Sequence, residues 1–140
     1  MGLIWTEQLS VGNAMIDFDH KTLVGMVNSV ERALKAGDHD VLLRAFKLLG
    51  DYADVHFAHE EMIAKAVDIP FEQHKRTHQY LLNELKHIKD ELEAKAGIWT
   101  EGAVEHFCHF LENWLVEHLT GEDAQMKPVL KKYPYGFKPA

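Results

Sequence analysis

The stretch PFEQHKRTHQYLLNELKHIKDELEAKAG, residues 70–97, indicates the fold most clearly. Its apolar and imidazole side chains recur three and four residues apart, which is the spacing of one face of an α-helix. That stripe consists of His74, His78, Leu81, Leu85, Ile88 and Leu92. Because Pro70 favours a helix start and Gly97 a helix end, we predict a helix over residues 70–96.

Three further stretches carry the same helical spacing, at residues 18–36, 40–67 and 100–119. On the second of them, Val41, Leu48 and Leu49 are among the residues expected to face inward. No stretch shows the alternation typical of a half-buried strand. Because short connections force neighbouring helices to run antiparallel, the sequence predicts an all-α, up-down-up-down antiparallel four-helix bundle with a non-helical N-terminal arm.

Length and composition limit the possible function. The 140 residues suit one domain, which we divide into an arm (1–17), a bundle (18–120) and a C-terminal extension (121–140). A net charge of -7 offers no general attraction to nucleic acid or to anionic membranes. No apolar run approaches the roughly 20 residues that span a bilayer. With no signal-peptide pattern and a single cysteine, Cys108, we expect a cytoplasmic protein, and we expect a monomer.

Histidine is abundant, at ten of 140 residues. Four pairs place a histidine four residues before a histidine or a carboxylate on one helix face, but this number is hardly above chance. Depth in the bundle is the stronger criterion. Counting along the second and third helices from their shared end, at about 1.5 Å per residue, brings Glu60 opposite His74 and His56 opposite His78.

The remaining two helices contribute to the same region. His20 begins the first predicted helix and His118 ends the fourth, and an up-down topology brings both to one end of the bundle. Burying several imidazoles and carboxylates together would be costly without a cation, so we predict a metal site. Trp114 and Leu115, one turn before His118, fit a ligand pocket and ordinary core equally well.

The other histidines are expected outside this region. Their angular positions on the helices place His87, His106 and His109 on solvent-facing sides. His39 is expected in a loop before the second helix. His59 is expected at the rim, without a role.

An ordered set of motifs resembles a known family. The motifs are His20, His56-Phe57-x-x-Glu60-Glu61, His74-x-x-x-His78 and Trp114-Leu115-x-x-His118-x-x-x-x-Asp123. The arm adds Ser10-Val11-Gly12 and Ile16-Asp17-x-x-His20. Over about residues 5–123 the chain resembles the hemerythrins, in their single-domain bacterial form.

The resemblance implies a non-haem di-iron site that binds O2 reversibly. It implies two Fe ions (Fe2+/Fe3+) with a bridging oxo or hydroxo group and O2 as ligand. It assigns His74, His78 and His118 to one iron, His20 and His56 to the other, and Glu60 and Asp123 to bridging positions. Spacing alone favours Glu122 over Asp123, but a helix end or a π-type turn near Gly121 would turn Asp123 inward.

These ligands leave one coordination position open, on the iron that holds two histidines. A shell of five neutral imidazoles is also less anionic than the carboxylate-rich shell of ferritin-like di-iron oxidases. Both points favour O2 carriage, storage or delivery to an oxygen-consuming enzyme, without catalysis by this chain. A di-iron oxidase or a peroxide or nitric oxide scavenger remains an alternative, as does an O2 sensor module, which would need an output domain.

Overall fold

The computed structural model describes residues 3–95, 98–121 and 123–139, with the side chain of Asp123 left out. The helices are α1 (Ala14–Ala36), α2 (His39–Ala66), α3 (Glu72–Ala94), α4 (Glu101–Thr120) and the short α5 (Lys127–Leu130). Turns of 3-10 helix lie at Glu7–Leu9 and Asp123–Met126. The described residues contain no strand, so the predicted all-α four-helix bundle is confirmed. Within those residues, no helix combines the length and the apolarity needed to cross a membrane.

Local sequence determines where the long helices begin. The side chains of Asn13, Asp38 and Thr100 each accept a hydrogen bond from a backbone N–H three residues later, at the starts of α1, α2 and α4. These caps satisfy donors that have no partner within the helix. At the other end of α1, Gly37 takes a left-handed conformation, with φ of 68°, which a glycine adopts without steric penalty.

One predicted boundary and the predicted placement of one histidine are wrong, and the caps explain why. Helix α1 begins at Ala14 instead of Phe18, because Asn13 caps it one turn earlier. Helix α2 begins at His39, so this histidine is the first residue of a helix and is not in a loop. The N-terminal arm was predicted to be non-helical, but residues 7–9 within it form a 3-10 turn.

The inward face of α2 is rotated from the predicted one. Val41 is 42% exposed and Leu48 is 60% exposed, against expectation. Seven of the nine buried residues of α2 instead follow alternating spacings of four and three, and Phe57 and Ala64 lie beside them. The seven are Leu42, Phe46, Leu49, Ala53, His56, Glu60 and Ile63. This is the pattern of two helical turns per seven residues, and Val41 and Leu48 each lie one residue, about 100°, to its side.

A small apolar cluster, separate from the main core between the helices, closes one end of the bundle. It joins Val11 and Ile16 to the end of α2 and to the C-terminal segment. Beside it, the Asp17 carboxylate is 1% exposed and accepts hydrogen bonds from Ser10 Oγ, Val11 N (3.0 Å) and Tyr135 Oη (2.8 Å). The arm and the C-terminal segment are therefore both attached to α1 one turn before His20.

Candidate metal centre

Six buried side chains from four helices converge near this closed end. Each of them is at most 4% exposed. They are His20 from α1, His56 and Glu60 from α2, His74 and His78 from α3, and His118 from α4. Their ligand atoms form two groups, each within 4.8 Å: His20, His56, Glu60 and His118 in one, and Glu60, His74 and His78 in the other. The structure thus brings together six of the seven residues predicted to bind metal.

Glu60 lies between the two groups. Its Oε2 is 2.9 Å from His74 Nε2 and 3.4 Å from His78 Nε2. Its Oε1 contacts His56 Nε2, and lies 3.3 Å from His118 Nε2 and 3.7 Å from His20 Nε2. The predicted pairing of Glu60 with His74 across the two helices is confirmed. One oxygen faces each group of histidines, which is the arrangement that a bridging carboxylate needs.

The position of His118 differs from the division that the family resemblance implies. Its Nε2 is 3.0 Å from His56 Nε2, so the geometry groups it with His20 and His56. Its ring centroid is 5.5 Å from that of His78. Which of two metals it would bind therefore stays a prediction. The side chains of Asp123 and Glu122 lie outside the described residues, and the choice between these two stays a prediction as well.

Aromatic rings flank the α3 histidines. The Phe57 ring stacks on His78 at a centroid distance of 3.8 Å and an angle of 9°. The Phe71 ring stacks on His74 at 4.6 Å and 19°. Apolar rings in these positions restrict the imidazole orientations and reduce the access of water, and both effects favour metal binding.

Trp114 and Leu115 are buried, at 3% and 0% exposed. The Trp114 Nε1–H donates to the backbone oxygen of Leu81 at 2.9 Å, which joins α4 to α3. Trp114 also lines a groove of about 270 Å³ between these helices, together with residues that include His106 and His109. The role of Trp114 and Leu115 in an O2 pocket remains a prediction.

A buried carboxylate lies behind His56. Asp19 in α1 is 2% exposed and accepts three hydrogen bonds from α2: Tyr52 Oη to Oδ1 (2.7 Å), His56 Nδ1 to Oδ2 (3.0 Å) and His59 Nδ1 to Oδ2 (2.8 Å). Burial raises the pKa of Asp19, but the hydrogen bonds outweigh this effect and hold its pKa below the usual 3.8. Burial and the bond to Asp19 raise the pKa of Tyr52 to about 12. The three hydrogen bonds therefore compensate for the burial of the Asp19 carboxyl group.

Asp19 was not predicted from the sequence, because spacing and depth single out groups that could bind a metal directly, and Asp19 instead contacts a histidine behind the cluster. The signal was present on α2, where Tyr52, His56 and His59 share a face at helical spacing. His59 is a rim residue, as predicted, with a side chain 32% exposed, but its partner Asp19 was not foreseen.

The histidines predicted to face solvent do so. His106 and His109 are exposed. His87 pairs with Glu91 at 3.0 Å, and its side chain is 70% exposed. These residues are separate from the buried cluster.

The donor atoms of the cluster are imidazole nitrogens and carboxylate oxygens, a set that suits first-row transition metals such as iron. A four-helix bundle that buries such a set near one end defines a class, the helical-bundle metal proteins with a histidine-rich, non-haem site. Comparison with known proteins narrows this class. The model of the hemerythrin HHE cation binding domain matches residues 11–130, and the chain belongs to this family.

Individual relatives agree with this assignment. A bacteriohemerythrin of Pseudomonas aeruginosa is 27% identical over 123 residues, covering 87% of this chain and 77% of the relative. A hemerythrin-like protein of Naegleria gruberi is 31% identical over 127 residues, covering 90% and 92%. A crystal structure of a hemerythrin leucine-to-tyrosine variant is similar in fold, with a TM-score of 0.77 at 23% identity, covering 91% of this chain and 96% of that one.

Proposed function

We propose that this protein holds two iron ions and binds O2 reversibly at them, for carriage, storage or delivery to an oxygen-consuming enzyme. The observation that carries the proposal is the arrangement of five buried histidines in two groups that share one carboxylate, Glu60. Family membership and the relatives named bacteriohemerythrin support it.

The residues have distinct tasks in this proposal. His74 and His78 would hold one iron, and His20 and His56 the other, with Glu60 shared between them. The family resemblance would assign His118 to the first iron and make Asp123 a second shared carboxylate. When bound, the iron pair supplies reversible electron transfer and a coordination position for O2. The five imidazoles are neutral as ligands, which keeps the site less anionic than one built mainly of carboxylates.

Exclusion of water is the second task of the protein. The cluster lies among residues that are almost fully buried, with Phe57 stacked on His78 and Leu115 one turn from His118. A site that excludes water would offer few proton donors, and proton delivery is what an irreversible reaction of O2 would require. The burial of the cluster therefore favours binding and release over consumption of O2.

An optical titration tests the proposal. The protein is loaded with Fe(II) without oxygen, its iron is counted by elemental analysis, and O2 is added and then removed. We expect two irons per chain and a visible absorption that appears with O2 and is lost on deoxygenation over repeated cycles. The variant His87→Ala, which changes an exposed histidine, is the control and should behave like the wild type.

Other results would contradict the proposal. Fewer than two irons in the wild type would remove the di-iron site. Permanent bleaching after one exposure to O2 would remove reversible binding. Sustained consumption of O2, peroxide or nitric oxide with a reductant present would favour an oxidase or a scavenger instead.

A further inference from the structure

Asp19 stands out among the residues around the cluster because three donors from one helix converge on its carboxylate. Tyr52, His56 and His59 lie on consecutive turns of α2, and all three donate to it across the α1–α2 interface. Asp19 is itself 2% exposed. A carboxyl group at this depth needs such partners, since its burial without them would be costly.

The hydrogen bond between Asp19 and His56 affects one of the side chains of the candidate metal centre. Both oxygens of Asp19 accept hydrogen bonds from α2 in this arrangement, so His56 Nδ1 carries the proton that it donates to Oδ2. In a neutral imidazole the other nitrogen, Nε2, then has the free electron pair that binds a metal. This nitrogen is the one that faces Glu60 and the His118 Nε2. The Asp19 bond therefore selects the tautomer and the ring orientation that present His56 to the cluster.

We propose that Asp19 is a positioning residue for the metal centre, which holds His56 in the orientation and tautomer that bind metal. This inference rests on the proposed iron site and adds to it a residue that would not bind the metal. Ligand histidines that donate their second nitrogen to a carboxylate bind metal more strongly, and loss of that partner typically lowers affinity or activity about 10–100-fold. The effect should fall on the metal ion that His56 binds more than on the other.

The neighbours of Asp19 strengthen this role. Tyr52 donates to Oδ1, while His56 and His59 donate to Oδ2, so the carboxylate is held on both oxygens and cannot rotate freely. Asp19 also directly precedes His20 in the chain. The same turn of α1 therefore supplies one proposed metal ligand, His20, and the hydrogen-bond partner of another, His56. The two helices are thus joined at the site itself.

The test uses Co(II), which loads without oxidation and whose visible absorption depends on its ligands. Wild type, Asp19→Ala and Asp19→Asn are loaded under argon, the metal is counted, and its release to a chelator in excess is followed by absorbance. The matched control is Asp51→Asn, which changes an aspartate with a 64% exposed side chain on the same helix as His56. The unfolding of each metal-free variant in urea is measured in parallel.

We expect Asp19→Ala to release one of its two metal ions at least about 10-fold faster than wild type, with an altered Co(II) spectrum, while the second ion is released at nearly the wild-type rate. Asn keeps an oxygen that can accept from His56, so Asp19→Asn should be intermediate in release rate. Asp51→Asn should match wild type. If Asp19→Ala does not fold, Asp19→Asn supplies the same comparison.

Three results would overturn the inference. The first is wild-type release and spectrum in Asp19→Ala. The second is equal acceleration of both ions together with a matching loss of metal-free stability, which would make Asp19 a residue of the fold alone. The third is Asp19→Asn behaving like Asp19→Ala, which would assign the effect to charge instead of orientation. If wild type fails to bind two metal ions, the proposed function fails first, and the two failures are therefore distinguishable.

Discussion

The hydrogen bond from Tyr135 to Asp17 offers a quantitative test of how the C-terminal segment is attached. The phenol donates to the buried carboxylate at 2.8 Å, but Tyr135 is itself 53% exposed. Hydrogen bonds to charged groups contribute about 1.5–3 kcal/mol when buried, and because water competes here we expect Tyr135→Phe to lower the free energy of unfolding by about 1 kcal/mol. Asp17→Ala should cost more, about 2–4 kcal/mol, since it also leaves the buried Val11 N–H without its acceptor.

A double-mutant cycle isolates the bond itself. Urea unfolding of wild type, both single variants and the double variant, followed by circular dichroism, should give a coupling energy of about 1 kcal/mol. Burial and the bond to Asp17 raise the pKa of Tyr135 from 10.0 to about 12. The bond's contribution is therefore present below pH 10 and lost as the pH rises towards 12. A coupling energy of zero at pH 7 would refute the attachment, whatever the two single variants show.

Three further predictions concern the core and the metal site. Burial and the neighbouring Glu112 raise the pKa of Glu31 from 4.5 to about 7. This group therefore lowers the free energy of unfolding as the pH rises from about 4.5 to 7. Glu31→Gln should abolish that part of the loss of stability, and a variant with the wild-type dependence of stability on pH would contradict the prediction. His74→Ala removes a proposed iron ligand, which lies 2.9 Å from Glu60, and should lower the iron below two per chain; two tightly bound irons in elemental analysis would disprove its role. Leu115→Ala should lower the free energy of unfolding by about 2–5 kcal/mol and admit water. If Leu115 shields bound O2, the O2-loaded variant will oxidise faster than wild type. An unchanged oxidation rate would leave Leu115 an ordinary core residue.

Periodicity and depth were sufficient to predict the bundle and most of the site. The stripe from His74 to Leu92 is buried throughout, because a helix with such a stripe has one stable way to face its neighbours. Counting residues from a shared helix end placed Glu60 opposite His74, since the rise per residue of an α-helix is constant. These features follow from local geometry and from the short connections between helices.

The features that the sequence did not predict depend on the rotation of each helix about its axis and on contacts between helices. The inward face of α2 differs from expectation by about one residue, which moved Val41 and Leu48 to the surface, because several apolar residues flank the true face and periodicity alone does not choose between them. Asp19 was missed because its partners lie more than thirty residues away, on α2. The helix starts, in contrast, follow from capping residues that can be recognised in the sequence, Asn13 for α1 and Asp38 for α2.

The dispersal of the six cluster residues over four helices bears on how long the protein survives in a cell. No single helix carries all of them, so a complete site forms when the bundle has assembled, and a metal that prefers the assembled chain stabilises it by mass action. With the iron site proposed above, chains made during iron starvation would lack that contribution and would open more often to proteases. We therefore expect the abundance of this protein to follow the iron supply even at a constant rate of synthesis.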